Sequence, residues 1–197
     1  VLMWEGTFLP TDTATYHRIN FEVPDGMSEI LVTYDYVVDG EQGGVLQNVV
    51  DLGIYGPDGF RGWSGSERNG VSVTLDAATT TPGYIPGPLP EGLWTIELGV
   101  GLVADDTTTA WSATATWFGD GGTPFEPPAP APAVIGGMGW YSGDLHCHTV
   151  HSDGAPTVAE VFAAAHDRGL DFLAVSDHNN FAAHFELYRY LTEDLAR

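Results

Sequence analysis

Six of the seven histidines in this 197-residue chain fall after residue 140, and several stand in short reach of acids. Asp144-Leu-His-Cys-His-Thr-Val-His-Ser-Asp-Gly154 is followed, past one helical and one apolar stretch, by Ser176-Asp-His-Asn179. His146 and His148 are two positions apart, and on a strand such residues project to the same side. That is the simplest way to offer two imidazole nitrogens to one ion. Cys147 between them points the other way and is expected to pack, as free cysteines do. Asp153 follows in a loop closed by Gly154. His178 comes directly after the apolar run Phe172-Leu-Ala-Val175. Imidazole and carboxylate together suit Zn, Mn or Fe. The chemistry such a set supports is the binding of a divalent ion.

The elements that must position these groups are readable around them. Trp140 to His146 reads as a strand. Thr157-Val-Ala-Glu160 is a capping box, in which hydroxyl and carboxylate satisfy free amides at a helix start. Val158, Val161, Phe162 and Ala165 give that helix an apolar face, and Arg168-Gly169 ends it with a cation and a C′ glycine. Phe172–Val175 is continuously apolar, as expected for a strand buried on both faces. The order is strand, helix, strand: a right-handed parallel βαβ unit. Parallel neighbours bring His178 and the His-x-His pair to one carboxyl-terminal edge, where α/β barrels place their chemistry. From Phe181 to Arg197 a second helical pattern runs through Phe185, Tyr188, Leu191 and Leu195. His166 and His184 lie on helical stretches and are read as surface or packing residues. His151 is placed at the entrance to the site.

The residues before 120 have a different period. Ile30, Val32, Tyr34 and Tyr36 alternate with polar neighbours or with Leu31, and Trp111, Ala113, Ala115 and Trp117 alternate with Ser and Thr. A period of two marks strands with one buried face. Residues 49–55, 71–75 and 94–100 are further strands. Pro57-Asp-Gly59, Asn69-Gly70, Glu91-Gly92 and Asp105-Asp106 supply the turns. The expectation is an antiparallel β-sandwich over residues 1–120. Residues 121–139, rich in Pro and Gly, read as a linker, and residues 140–197 as the start of a second domain.

Composition excludes some functions. Six arginines, no lysine and 27 acids give a formal charge of −21. Such a chain repels nucleic acid and anionic membranes, so neither is expected as a partner. No apolar run approaches the ~20 residues that span a bilayer. The N-terminal Val-Leu-Met-Trp-Glu lacks a basic segment and an apolar core, so no signal peptide is visible. A cytoplasmic location is the expectation, although the first residue is not Met and an upstream segment is left open. The single cysteine, Cys147, excludes an internal disulfide.

The His-x-His, Ser-Asp-Gly and Ser-Asp-His stretches together resemble motifs one and two of the PHP family, named for polymerase and histidinol phosphatase. The resemblance implies a distorted (β/α) barrel with two or three divalent ions (Zn, Mn or Fe). It implies that His146 and His148 bind a first metal and that Asp153 and His178 bind a second. Asp177 would be the catalytic outer-shell residue, orienting a ligand or a metal-bound water. Residues 51–66, 81–90 and the 140–146 lead-in resemble the carbaryl-hydrolase-like metallohydrolase branch of that family. The fold expected is two domains: an all-β antiparallel sandwich followed by the first βαβ(α) segment of a PHP barrel.

Nothing after His178 resembles the family's later motifs. A barrel of this kind needs ~200 residues, and 58 remain from Trp140 onward. The expectation is a chain truncated after motif two, an N-terminal fragment that is inactive alone and binds metal weakly or not in stoichiometric amount. The substrate implied is a small-molecule phosphoester. Phosphate sites favour basic residues, and the second part offers only Arg168, Arg189 and Arg197, so a carbamate or carboxylester on the same metals is the alternative. A further alternative is a sandwich that is a non-catalytic binding module beside an inert partial metal site. Trp63, Tyr84 and Trp94 would then form an aromatic platform, whereas filling the sandwich core and the interdomain face is the simpler expectation for them.

Overall fold

The structure is a computed structural model that describes residues 1–37, 48–65, 70–75, 79–119 and 137–193, with side chains through residue 187. The chain divides into two compact units: Val1–Thr81 with Pro86–Phe125, and Pro82–Ile85 with Glu126–Arg197. Most of the expected linker, residues 120–136, lies outside the described residues.

The first unit holds β1 (Leu2–Phe8), β2 (Thr15–Val23), β3 (Glu29–Tyr36), β4 (Val49–Gly56), β5 (Gly59–Ser64), β6 (Val71–Thr74), β7 (Gly92–Leu102) and β8 (Thr109–Phe118). They form two four-stranded antiparallel sheets, ordered β1-β8-β3-β6 and β2-β7-β4-β5. Alternation decides which side chains go inward. Ile30, Val32, Tyr34 and Tyr36 of β3 are buried, as are Val50, Leu52 and Ile54 of β4 and Trp94, Ile96 and Leu98 of β7. The sheets face each other across these rows. Tyr34 OH donates to the Val50 carbonyl at 3.3 Å, and Phe21 of one sheet stacks on Trp117 of the other at 6.2 Å. Each fully buried aliphatic chain contributes roughly 1.5–3 kcal/mol of transfer free energy, so this interior is the main source of the unit's stability.

The sandwich expected from the sequence is therefore present, with three strands that the period-two reading did not mark: β1, β2 and β5. Trp63, Tyr84 and Trp94 form no platform. They are 9%, 1% and 0% exposed, respectively, because large aromatics gain most by leaving water. Pro57-Asp58 makes the tight β4–β5 hairpin turn, closing on the Gly56–Gly59 pair. The Asn69-Gly70 turn falls partly outside the described residues.

The second unit contains β9 (Gly143–Cys147), α1 (Val158–Asp167), β10 (Phe172–Val175) and α2 (Ala182–Glu193). β9 and β10 are parallel, with Phe172 opposite Gly143 and Val175 opposite Cys147. The capping box forms as written: Thr157 Oγ1 accepts the Glu160 N–H at 3.2 Å, and Glu160 Oε2 accepts the Thr157 N–H at 2.8 Å. At the other end Gly169 takes φ +66°, and the N–H groups of Gly169 and Leu170 donate to the carbonyls of His166 and Ala165. A residue without Cβ adopts that conformation most cheaply.

Three expectations need correction here. The first strand begins at Gly143 rather than Trp140, because β10 offers only four residues to pair with; Trp140 is fully exposed. β10 is not buried on both faces: Phe172 is exposed and Leu173 to Val175 are half-buried. The sheet has two strands, so little packs over it among the described residues. The second helix starts one residue later than expected, with Ala182 and Ala183 buried. Among the described residues no helix is long and apolar enough to cross a membrane.

Candidate metal centre

The centre is built where β9 and β10 end side by side. His146 lies on β9, and His148 is the first residue past its end. Their imidazoles share one side: Nε2 to Nε2 is 2.9 Å, and the rings stack with centroids 4.9 Å apart. Cys147 turns away, as expected, with Sγ donating to the Ala174 carbonyl at 3.3 Å. Burial pushes its thiol pKa up, and the negative charges of Asp144 and Asp177 push it the same way.

Beyond His148 the chain folds into a compact turn. Ser152 and Gly154 N–H both donate to the Thr149 carbonyl, and Val150 N–H donates to the Pro156 carbonyl. The turn passes so close to its own start that a Cβ on Gly154 would overlap the His148 carbonyl group and the Thr149 amide. This close approach carries Asp153 back over the histidines. Asp153 Oδ1 lies 2.6 Å from His148 Nδ1, and Oδ2 lies 3.5 Å from His178 Nε2.

His178 arrives from β10. Ser176 N–H continues the ladder by donating to the Cys147 carbonyl at 2.8 Å. Two residues on, the His178 ring meets that of His148 edge-on, centroids 4.5 Å apart. One donor atom from each of His148, Asp153 and His178 lies within 4.8 Å of the others. The structure thus brings together three of the residues expected to bind metal, and His146 touches the trio through His148. The Asp153 carboxyl is held below the usual aspartate range, chiefly by its hydrogen bond with His148; the charges of His148 and His178 add to this. Two imidazoles and a carboxylate, open to solvent and already adjacent, are a donor set that fits Zn, Mn or Fe.

Asp177 sits apart from the cluster. Its Oδ1 accepts the Thr149 N–H at 2.7 Å and the Ser152 hydroxyl at 2.6 Å, and its Oδ2 accepts the Thr149 hydroxyl at 2.7 Å. It shapes the turn that presents Asp153. Asn180 is a supporting residue that the sequence reading passed over. Its side chain donates to the carbonyls of His151 and His178 and accepts the Ala182 N–H at the start of α2. An Asn just before a helical stretch is an N-cap signal that could have found it.

The remaining histidines are placed as follows. His151 is tied down: Nδ1 accepts the Gly83 N–H at 2.9 Å and Nε2 lies 3.1 Å from Glu186 Oε2. An acceptor role at Nδ1 puts the proton on Nε2, facing the carboxylate. His166 is exposed beside Asp167, and His184 is exposed with its ring near the Val175 carbonyl.

No curated protein matches the chain. Residues 144–195, the stretch that carries this whole cluster, match the family model for the PHP domain.

Proposed function

We propose that residues 144–178 contribute to the metal centre of a PHP-type metal-dependent hydrolase acting on a small-molecule phosphoester. The observation that carries this reading is the meeting of His148, Asp153 and His178 across the β9–β10 edge; the PHP-domain match over the same residues supports it. His146, His148, Asp153 and His178 would hold the ions, two or three in the whole enzyme. When bound, divalent ions supply a water acidic near neutral pH and polarise the substrate oxygen. The chain's own groups do the rest. Asp153 fixes the orientation of the His148 ring, since a hydrogen bond at one ring nitrogen sets what the other can bind. Asp177 holds the turn, and Asn180 holds the loop after His178.

A second reading, hydrolysis of a carbamate or carboxylester, has one observation in its favour. Arg168 donates to the Ala164 carbonyl at the end of α1, so it is engaged away from the cluster. A substrate without a phosphate needs no cationic clamp.

The reading is tested in two steps. Calorimetric titration of the chain with Zn²⁺ and Mn²⁺ should show saturable binding that the double variant His148→Ala/His178→Ala loses, with circular dichroism unchanged. Equal binding by the variant would leave an inert cluster as the better description. Rates on p-nitrophenyl phosphate, p-nitrophenyl acetate and an aryl carbamate, measured on the whole enzyme, then separate the two substrate classes.

A further inference from the structure

The first unit carries another site, at the side of the sandwich where both sheets end. β1 is the outermost strand of one sheet and β2 of the other. They lie side by side across the layer, with Trp4 against Phe21 at 6.0 Å and Phe8 against His17 at 5.8 Å. Near the turn that joins them opens a groove of about 760 Å³, within the range of small-molecule pockets.

Its lining mixes aromatic faces with polar groups that lack partners. Trp4, Tyr16, His17 and Trp111 supply rings; Glu5 and Asp12 supply carboxylates; no arginine lines it. Among the described residues the Glu5 carboxylate, both His17 ring nitrogens and the Trp111 indole N–H make no hydrogen bond or ion pair. Asp12 uses one oxygen to accept the Leu9 N–H, leaving the other. Trp111 is the most informative. The residue is only 8% exposed, yet its unpaired indole nitrogen is not sealed from solvent, so the N–H opens into the groove that the ring lines. Its nitrogen edge lies over Gly6, where an added Cβ would sit 2.8–3.0 Å from the ring. Glycine there lets the indole lie across β1 at the groove.

We propose that this groove binds a neutral saccharide. A sugar ring presents a C–H face to aromatic rings, hydroxyl donors to Glu5 and Asp12, and hydroxyl acceptors to the Trp111 N–H. Other ligand classes match fewer of these groups. An anion meets two carboxylates. A purely apolar molecule strands the carboxylates and the indole N–H in a desolvated contact. A simple cation answers the carboxylates and leaves the indole donor unmet. The site shares no residue with the metal centre, so it stands or falls independently.

The test is titration of the full chain with methyl β-glucoside, cellotriose, maltotriose, xylotriose and chitotriose, followed by ¹⁵N-indole NMR and calorimetry. At least one sugar should bind saturably in the millimolar range or tighter and shift the Trp111 indole resonance. Glu5→Ala and Tyr16→Ala, both at exposed positions, should each weaken binding ten-fold or more with an unchanged melting temperature. Leu93→Ala, exposed on β7, should leave affinity as it was. The proposal is overturned if no sugar in the panel binds, if the Glu5 and Tyr16 variants bind as well as the native chain, or if tetramethylammonium or spermidine shifts the Trp111 resonance while the sugars do not.

Discussion

Asp177 grips Thr149 twice, through its amide and its hydroxyl, both at 2.7 Å. Thr149 is fully buried, so this contact is shielded from water and fixes where the chain leaving β9 turns. A residue at the end of β10 thereby sets the shape of the loop that carries Asp153.

Removing that grip should loosen the metal centre without touching a ligand. Asp177→Ala leaves the buried Thr149 amide and hydroxyl without their acceptor, a penalty of about 1–3 kcal/mol per group. Outer-shell losses typically cost 10- to 100-fold in metal affinity. Calorimetry with Zn²⁺ should show a drop of that order, alongside a lower melting temperature. Native-like affinity in Asp177→Ala would show that the turn holds itself.

Gly154→Ala should be as harmful as a ligand substitution. The new methyl group would overlap backbone atoms of His148 and Thr149, which cannot swing aside as a flexible side chain can. The turn must open, and Asp153 then leaves His148 and His178. Overpacking of this kind costs about 1–3 kcal/mol. The expected readout is loss of metal binding together with altered imidazole NMR shifts for His148.

The start of α1 should depend on acid pH through Glu160. Its carboxyl is held below the ordinary value of 4.5, first by the Thr157 backbone N–H and then by the Thr157 hydroxyl. Because the folded state depresses this pKa, the stabilisation is complete above the unfolded value and is lost as pH falls through the folded one. Amide exchange at Thr157 should therefore speed up below about pH 4.5 beyond the change in intrinsic rate. In Glu160→Gln that extra acid dependence should vanish.

Arg61 should matter to the sandwich although it brings a charge into a buried position. It is 8% exposed, donates to the Pro88 and Gly87 carbonyls, and lies over the Trp94 ring at 5.3 Å. Burial lowers its pKa to about 10, against a smaller raising effect from Asp58, so it remains charged at neutral pH. Arg61→Met keeps the apolar stem and deprives both carbonyls of their donor. A loss of about 2–3 kcal/mol is expected from hydrogen bonds to a charged donor. It should appear as a lower urea midpoint with the slope unchanged.

How much was legible in advance varied with the range of the interaction. The α1 capping box, the Gly169 stop and the Pro57-Asp58 turn are set by neighbours within a few residues, and all form as written. β1 and β5 were not legible. β1 lies at a sheet edge with Leu2 and Met3 exposed, and β5 is broken by Gly59 and Gly62, so neither shows a clean period of two. β2 alternates only from Ile19 on, where Ile19, Phe21 and Val23 are buried. The missed strands β1 and β2 flank the groove, which no local pattern announces.

The sequence by itself determined that two unlike parts follow one another, and that His146 and His148 share a side, because strand alternation is a property of the backbone. It also marked Asp153 and His178 as partners, through motif resemblance rather than through any visible contact. Only the tertiary structure decided that Asp153 reaches both His148 and His178, that Asp177 serves the turn, and that Trp63, Tyr84 and Trp94 are core while Trp4, Tyr16 and Trp111 line a groove. The physical reason is the same in each case. Side-chain direction follows from local geometry, but contacts between strands distant in sequence depend on register and on how a loop closes. A single glycine such as Gly154, or a single buried acceptor such as Asp177, settles that closure.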